Sequence, residues 1–383
     1  MDINEKKLMI VGPTEIENDI LRLGSEKMMY NRTPEFSGFM VGINENLKYF
    51  FQTKNTVYTF VSSGTGAMEA TVANTMSRGD KVIVIARGLW GLRWAEIASR
   101  YGLNVELVKL GWEEQIEPDK LKEILTDDMK GVFINANETT LGLLTNVQGI
   151  GRVVRDTSAI FVIDAISSIG ADEFKTDEWG CDAVIASSQK ALALPPGLSF
   201  ICLSQKAKKM MERSDLPKYY FDIKEYEANI HRGQTPFTPA TGLLYQLDLR
   251  LKKIRKEGIE NVIKRHARLS GMLRAGIGAL GIKFTGKNMS NGVTGMIAPK
   301  GINAREVVNM LREKYNLEIP PSPGDLEGKV FRMGVFGNLG QKDIMQAISS
   351  IERSLIQLGY PVAPGEGVKA VKQYISSEVR PDG

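Results

Sequence analysis

Ala186-Ser-Ser-Gln-Lys-Ala-Leu-Ala-Leu-Pro-Pro-Gly197 carries a single charge, Lys190, through an otherwise small and apolar part of the chain. The runs on either side, 183–187 and 198–203, have the length and composition of buried strands. A lysine directly after a buried strand, followed by apolar residues and then Pro-Pro-Gly, is hard to solvate fully. Desolvation and nearby positive charge lower an amine's pKa and favour the neutral nucleophile that forms a Schiff base. The bland alternative is a lysine that snorkels from a loop to water.

Outward from this stretch, short β-branched runs alternate with helical periodicity between about 57 and 204. Strands are expected at 57–62, 81–86, 105–110, 131–135, 160–164, 183–187 and 198–203, and helices at 67–76, 93–101, 118–125 and 149–156. Apolar runs this short suit strands buried on both faces, and the alternation predicts an α/β fold with a mostly parallel central sheet flanked by helices. No helix separates the last two strand candidates, so part of the sheet is expected to be antiparallel. Beyond 204 helices dominate (242–258, 260–280), then strands at 295–298 and 329–334 and helices at 304–315 and 342–358. These predict a smaller C-terminal α+β domain. The expected division is an arm over 1–18 packing near the small domain, a large domain over 19–258 and the small domain over 259–383. The tail after Gly359 reads as a Pro/Gly-rich turn and then a weak helix.

Composition narrows the function. The 383 residues are 43% hydrophobic and 25% charged, with a formal charge of only +4, which argues against a nucleic-acid partner and leaves an anionic small ligand open. Cys181 and Cys202, the two cysteines, both sit in strand-like runs and read as buried thiols. The only histidines are His231 and His266, too few for a zinc site, so no metal is expected. His266 lies in a helix-like run and reads as solvated or partly packed. The N-terminal Met1-Asp-Ile-Asn-Glu-Lys-Lys lacks a signal-peptide core, no apolar run reaches membrane-spanning length, and Arg380-Pro-Asp-Gly is no peroxisomal address. The expected location is the cytoplasm, without a membrane partner.

Four further features carry chemistry. Ser62-Ser-Gly-Thr-Gly-Ala-Met-Glu-Ala70 follows a strand and opens a helix, so its backbone N–H groups can face a phosphate. A plain strand-to-helix turn is an equal alternative. Its glycines begin a dinucleotide fingerprint, but Glu69 holds the third glycine position, which argues against a nicotinamide dehydrogenase. Asp164 ends the run Ile160-Phe-Val-Ile-Asp164, at the rim where open α/β sheets bind ligands; the alternative is a cap for the next helix. Trp90, in Arg87-Gly-Leu-Trp-Gly-Leu-Arg93, follows another strand end and could stack on a flat ring or simply pack. Arg332, in Lys329-Val-Phe-Arg-Met-Gly334, suits a bidentate carboxylate or a structural ion pair.

Phosphate loop, aromatic, Asp, lysine and late Arg follow the order of class V, fold-type I pyridoxal-phosphate enzymes. The chain resembles the serine–pyruvate/alanine–glyoxylate aminotransferase branch of that class over almost its whole length. The matching stretches are Ser187-Ser-Gln-Lys-Ala-Leu-Ala-Leu-Pro-Pro-Gly197, Ser63-Gly-Thr-Gly-Ala-Met-Glu-Ala70 and Leu89-Trp-Gly-Leu-Arg93. The 25-residue spacing from Thr139, in Asn137-Glu-Thr-Thr-Leu-Gly142, to Asp164 matches too. The resemblance implies pyridoxal 5′-phosphate as cofactor. Lys190 is then the Schiff-base lysine and Gln189 a phosphate contact, with Ser63, Gly64 and Thr65. Trp90 would stack on the ring, Asp164 pair with the ring nitrogen, Thr139 reach the ring hydroxyl and Arg332 take the substrate α-carboxylate. Gly233-Gln-Thr-Pro-Phe-Thr-Pro239 resembles a segment that crosses to a partner's phosphate through Thr235 and Thr238, which implies an obligate homodimer.

Two departures touch the substrate side: Thr14 stands where the family has a glycine after Gly-Pro, and Asn31 where a histidine is common. The resemblance implies ping-pong transfer between a small L-amino acid, serine or alanine, and pyruvate or glyoxylate, with serine and pyruvate the first expectation. The nearest rival of the same fold, a cysteine desulfurase, needs a nucleophilic cysteine on a mobile loop.

Overall fold

The computed structural model describes residues 6–378. Strand β1 (Lys7–Leu8) belongs to the small domain taken up below. The central sheet comprises β2 (Val57–Val61), β3 (Lys81–Ala86), β4 (Asn104–Lys109) and β5 (Met129–Asn135). After a two-residue ribbon of β6 (Asn137–Glu138) and β7 (Leu143–Leu144), it continues with β8 (Ile160–Asp164), β9 (Ala183–Ser187) and β10 (Leu198–Leu203). The order across the sheet is β2-β10-β9-β8-β5-β3-β4. From β9 to β4 the strands run parallel, while β10 is antiparallel to both β9 and β2. The direct return from β9 to β10 dictates this, because a parallel neighbour would need a crossover helix. The link therefore stays at the C-terminal end of β9, and it carries Lys190.

Side chains of β8 alternate between two cores. Ile160 and Val162 join a cluster with α3 (Gly64–Thr75), α4 (Leu89–Arg100), α7 (Gln205–Arg213) and α8 (Ile223–Ile230). Phe161 and Ile163 join the opposite one, with α1 (Asn18–Leu23), α2 (Pro34–Phe51), α5 (Pro118–Ile124), α6 (Val147–Arg155) and α9 (Thr241–Glu257). This is the expected α/β architecture, with helices on both faces. One expectation fails: β4 has no buried residue, because it is the sheet edge, with one neighbour and with Glu106 and Lys109 facing water. Its apolar residues misled the inference of burial on both faces.

The smaller unit is built on α10 (Ile259–Ala279), β11 (Lys283–Phe284), β12 (Val293–Ile297), α11 (Ala304–Lys314), β13 (Leu317–Glu318), β14 (Val330–Gly334), α12 (Gln341–Gln357) and α13 (Glu366–Glu378). β11, β12 and β14 form an antiparallel sheet, and β1 pairs with β13. Ile259 and Val262 pack on the large core while Leu269 and Met272 pack on the small one, so the passage between cores falls inside α10. Residues 1–5 of the expected arm and 379–383 of the expected small domain lie outside the described residues.

His266 corrects the reading of a solvated or partly packed imidazole, since only 1% of it is exposed and it is packed fully. Its Nδ1 donates to the Val262 carbonyl at 2.8 Å and its Nε2 is without a partner. Burial pushes its pKa down to about 4. The unfolded chain then binds more protons between about pH 4 and 6.5, so this group's contribution to stability falls as pH drops through that window, by about 3 kcal/mol. Asp164 and Asp172, held at about 6, act in the opposite sense over part of the same range. The contrast between His266→Leu and the parent isolates the histidine. Urea unfolding at pH 7 and 4.5 should show the parent losing about 2 kcal/mol more than the variant; equal losses would contradict the assignment.

Candidate active site

The C-terminal ends of the parallel strands meet the start of α3, the start of α4 and β14. Asp164 closes β8 and is 7% exposed. Asn135, its register partner at the end of β5, donates from Nδ2 to Oδ2 at 2.7 Å, and the Ile166 N–H donates to Oδ1 at 2.8 Å. The carboxylate thus caps a turn, although no helix begins there. Burial raises its pKa to about 6; the Ile166 bond opposes this, the Glu138 charge adds to it, and the Lys190 charge opposes it.

The Lys190 stem keeps some exposure, but its amine is enclosed and donates to the Val11 carbonyl. Burial lowers its pKa to about 8, the Arg332 charge pushes the same way, and Asp164 opposes both. A large fraction of neutral amine near pH 8 follows, as a nucleophilic lysine requires. Gly12 makes the close approach possible. A Cβ there would lie 2.9 Å from the Gln189 carbonyl and 3.0 Å from Lys190 Cδ, and its φ is +120°. Thr14, two residues on, is buried with an unpartnered Oγ1.

Arg332 reaches in from β14. Its Nη1 donates to the Thr139 carbonyl at 2.9 Å, its Nη2 to the Pro321 carbonyl at 2.8 Å, and its Nε is without a partner. No carboxylate among the described residues forms an ion pair with it, so the default of a structural ion pair is replaced by carbonyl support. Burial lowers its pKa to about 10, opposed by Glu138, which leaves it cationic at neutral pH. The Thr139 hydroxyl shares a hydrogen bond with Ser167 at 2.7 Å.

Ser63 is the N-cap of α3 and makes no side-chain capping bond. A Cβ on Gly64 would fall 2.3 Å from Ile166 Cδ1, so this loop lies directly on the turn after Asp164. Thr65 Oγ1 accepts from Arg93 Nη1 at 3.1 Å, and the Arg93 guanidinium lies 4.3 Å over the Trp90 ring. The structure therefore brings together Lys190, Gln189, Asp164, Thr139, Arg332, Trp90, the Ser63–Thr65 loop and the Thr14 segment. It does not bring in Thr235, Thr238 or Asn31. Thr235 Oγ1 donates to the Phe237 carbonyl at 2.7 Å, its own carbonyl accepts from Arg32 at 2.8 Å, and Thr238 is exposed. Asn31 is the residue before Arg32, which donates to the Thr235 carbonyl and lines that surface.

Three charged residues near the site were not singled out from sequence, Glu138 buried and Arg87 and Arg93 half-buried. Glu138 lies beneath the first turn of α4. Arg87 donates to the Leu143 and Leu144 carbonyls and to Thr145. Arg93 is the third. All three stand inside the quoted motifs, which was the available signal. Both cysteines are buried and free, with burial pushing Cys202 to about 12 and Cys181 well above its usual value. Neither is a thiolate at neutral pH, so the desulfurase nucleophile has no candidate.

A planar pyridine with an aldehyde and a phosphate fits this donor set. Ser187 Oγ, Gln189 Oε1 and Trp90 Nε1 are buried without partners in the chain, a shortfall that a polar ligand would relieve. The amine, the carboxylate and the helix N-terminus lie on one rim, as an aldehyde, a ring nitrogen and a phosphate require.

Such a site defines a pyridoxal-phosphate enzyme of fold-type I. The aminotransferase class-V family matches residues 22–321, and the chain belongs to that family of pyridoxal-phosphate-dependent aminotransferases. A serine–glyoxylate aminotransferase of Methylorubrum extorquens is 36% identical, covering 96% of this chain and 95% of its own. A soluble hydrogenase small subunit of a Synechococcus is 34% identical over 97% and 98%. The crystal structure of ureidoglycine–glyoxylate aminotransferase from Bacillus subtilis superposes with a TM-score of 0.94, at 29% identity over 98% and 99%. When bound, pyridoxal phosphate supplies an aldehyde carbon that takes an amine and a ring that accepts electron density from the substrate's α-carbon. Lys190 would hold the aldehyde and then move the α-proton with its Nζ. Asp164 would hold a proton at the ring nitrogen, and Trp90 would cover the ring. Ser63, Gly64, Thr65 and Gln189 would hold the phosphate.

Proposed function

We propose that this aminotransferase moves an amino group between a small L-amino acid, serine or alanine, and glyoxylate, and that it works as a homodimer. The observation that carries the small-substrate reading is Arg332: a buried cation with an unpartnered Nε, held by carbonyls and free of a carboxylate. It suits one α-carboxylate. Arg87 is a second arginine close by, but its Nη2 is committed to the β7 carbonyls, which leaves a second carboxylate poorly served. Glyoxylate takes precedence over pyruvate because both aminotransferases named above are glyoxylate enzymes. The dimer reading rests on the Thr235 surface. Arg32, Tyr219, Gln234 and Phe237 line one cleft there, and Tyr219 is 82% exposed. A second copy seated on it would bring Thr235 and Thr238 to the neighbouring phosphate site.

The test is the absorption of the loaded protein. L-serine or L-alanine should bleach the cofactor band and glyoxylate should restore it. Bleaching by L-aspartate with no response to serine or alanine would overturn the small-donor reading. Sulfide release from cysteine would point to a lyase instead. A solution mass of 42.4 kDa, that of one chain, would contradict the dimer.

A further inference from the structure

Glu138 is the most deeply placed charge near the site, 2% exposed, on the short strand that leads into Thr139. Its Oε1 accepts from the Thr140 N–H at 3.1 Å and the Thr140 hydroxyl at 2.6 Å, and its Oε2 accepts from the Trp90 N–H at 3.3 Å. The Gly91 N–H points to it as well. Every backbone partner is a donor and so favours the ionised carboxylate, while burial, the larger effect, holds its pKa above the usual carboxylate value.

Helix α4 explains why a carboxylate is placed here. Its N-cap is Gly88, which has no side chain to cap the first turn. The orphan N–H groups of that turn need an acceptor, and an anion at a helix N-terminus is favoured by the dipole. Glu138 supplies that acceptor from another segment. Gly88 is what admits it, because a Cβ there would lie 2.6 Å from Glu138 Cδ and 2.6 Å from the Thr140 hydroxyl. The turn so fixed carries Trp90. The next residue along the Glu138 strand, Thr139, offers the carbonyl that holds Arg332. One carboxylate therefore ties the ring platform to the carboxylate-binding arginine.

We propose that Glu138 is a positioning residue for amino transfer, fixing Trp90 through the first turn of α4 and supplying the second negative charge of the Lys190–Asp164–Arg332 cluster. The proposal rests on the roles of Trp90 and Arg332 given above. The charges around it are Lys190 after β9, Asp164 on β8, Arg332 on β14, Arg87 after β3 and Arg93 on α4. Arg332, Arg87 and Asp164 each respond electrostatically to Glu138.

Position and charge can be separated by two variants. Glu138→Gln removes the charge and turns an amide N–H toward donors. Gly88→Ala keeps the charge but pushes the carboxylate off the helix. Hydrogen bonds to a charged group contribute about 1.5–3 kcal/mol, so titration of the cofactor-free proteins with pyridoxal phosphate should show both variants binding about ten- to hundredfold more weakly. The pH midpoint of the bound cofactor's absorption should fall by about half a unit or more in Glu138→Gln, where cationic forms lose a stabilising anion, and stay in place in Gly88→Ala. Should Glu138→Gln not fold, Glu138→Asp, one methylene short with its charge kept, must behave like Gly88→Ala. Wild-type affinity in both variants, or an unmoved midpoint in Glu138→Gln, overturns the proposal. A parent protein that binds no pyridoxal phosphate would instead strike the cofactor-site reading beneath it.

Discussion

Lys190→Ala is expected to lower amino-transfer turnover by more than about 10⁴-fold, beyond the ~10²–10⁴ typical for losing one acid/base group. The excess arises because Lys190 is assigned two tasks, holding the cofactor's aldehyde and carrying the α-proton. The variant should nonetheless fold. The Lys190 pKa of about 8 lies below that of the unfolded side chain, so below pH 8 the fold bears the full cost of charging an enclosed amine, about 3 kcal/mol, and above about 10.5 it bears none. Alanine removes that cost at neutral pH and gives up the bond to the Val11 carbonyl. The cofactor-free variant should therefore melt close to the parent while turnover collapses. Near-normal turnover would remove Lys190 from the chemistry. A large drop in melting temperature would mean that the lysine is structural.

Asp164→Asn should separate stability from activity in the same way. The amide keeps the shape and can still accept from Ile166 N–H. Asn135 Oδ1 is unpartnered, so a turn of that side chain would restore the second bond. The Asp164 pKa of about 6 lies above the unfolded value near 3.8; the cost of ionising it in the fold grows between those pH values and is complete above 6. At pH 7.5 the cofactor-free variant should be more stable than the parent by up to about 3 kcal/mol. Activity should fall ~10²–10⁴-fold, because a neutral amide cannot hold the proton at the ring nitrogen. Urea unfolding and steady-state rates measured together check this, and a variant within tenfold of the parent rate would contradict the ring-nitrogen assignment.

The sheet was legible because β3, β5, β8, β9 and β10 are apolar almost throughout, and burial on both faces leaves that pattern in a sequence. Helix α2 was missed, although Thr33-Pro34 is a start signal and Thr33 Oγ1 does accept from the Phe36 N–H at 3.2 Å. The two-residue strands β1, β6, β7, β11 and β13 carry no periodicity and exist through tertiary pairing alone. Among site residues, Lys190 and Asp164 could be read because each directly follows or ends a buried run. Glu138 could not. Its partners, Trp90 and Gly91, are far away in sequence, and only the folded chain shows that the Gly88 cap leaves α4 needing an acceptor. His266 shows the converse: a polar residue in a helical pattern looks solvated until the helix's packing is known. Thr235 and Thr238 do not gather with Lys190 in one chain, so assigning them to the site rests on the proposed second copy.

The lysine assignment has a direct test. The loaded protein is treated with borohydride, digested, and searched for the cofactor-derived mass. One modified position is expected, Lys190, in the peptide that contains Ser187-Ser-Gln-Lys190. Modification of any other lysine, or of none, would contradict it.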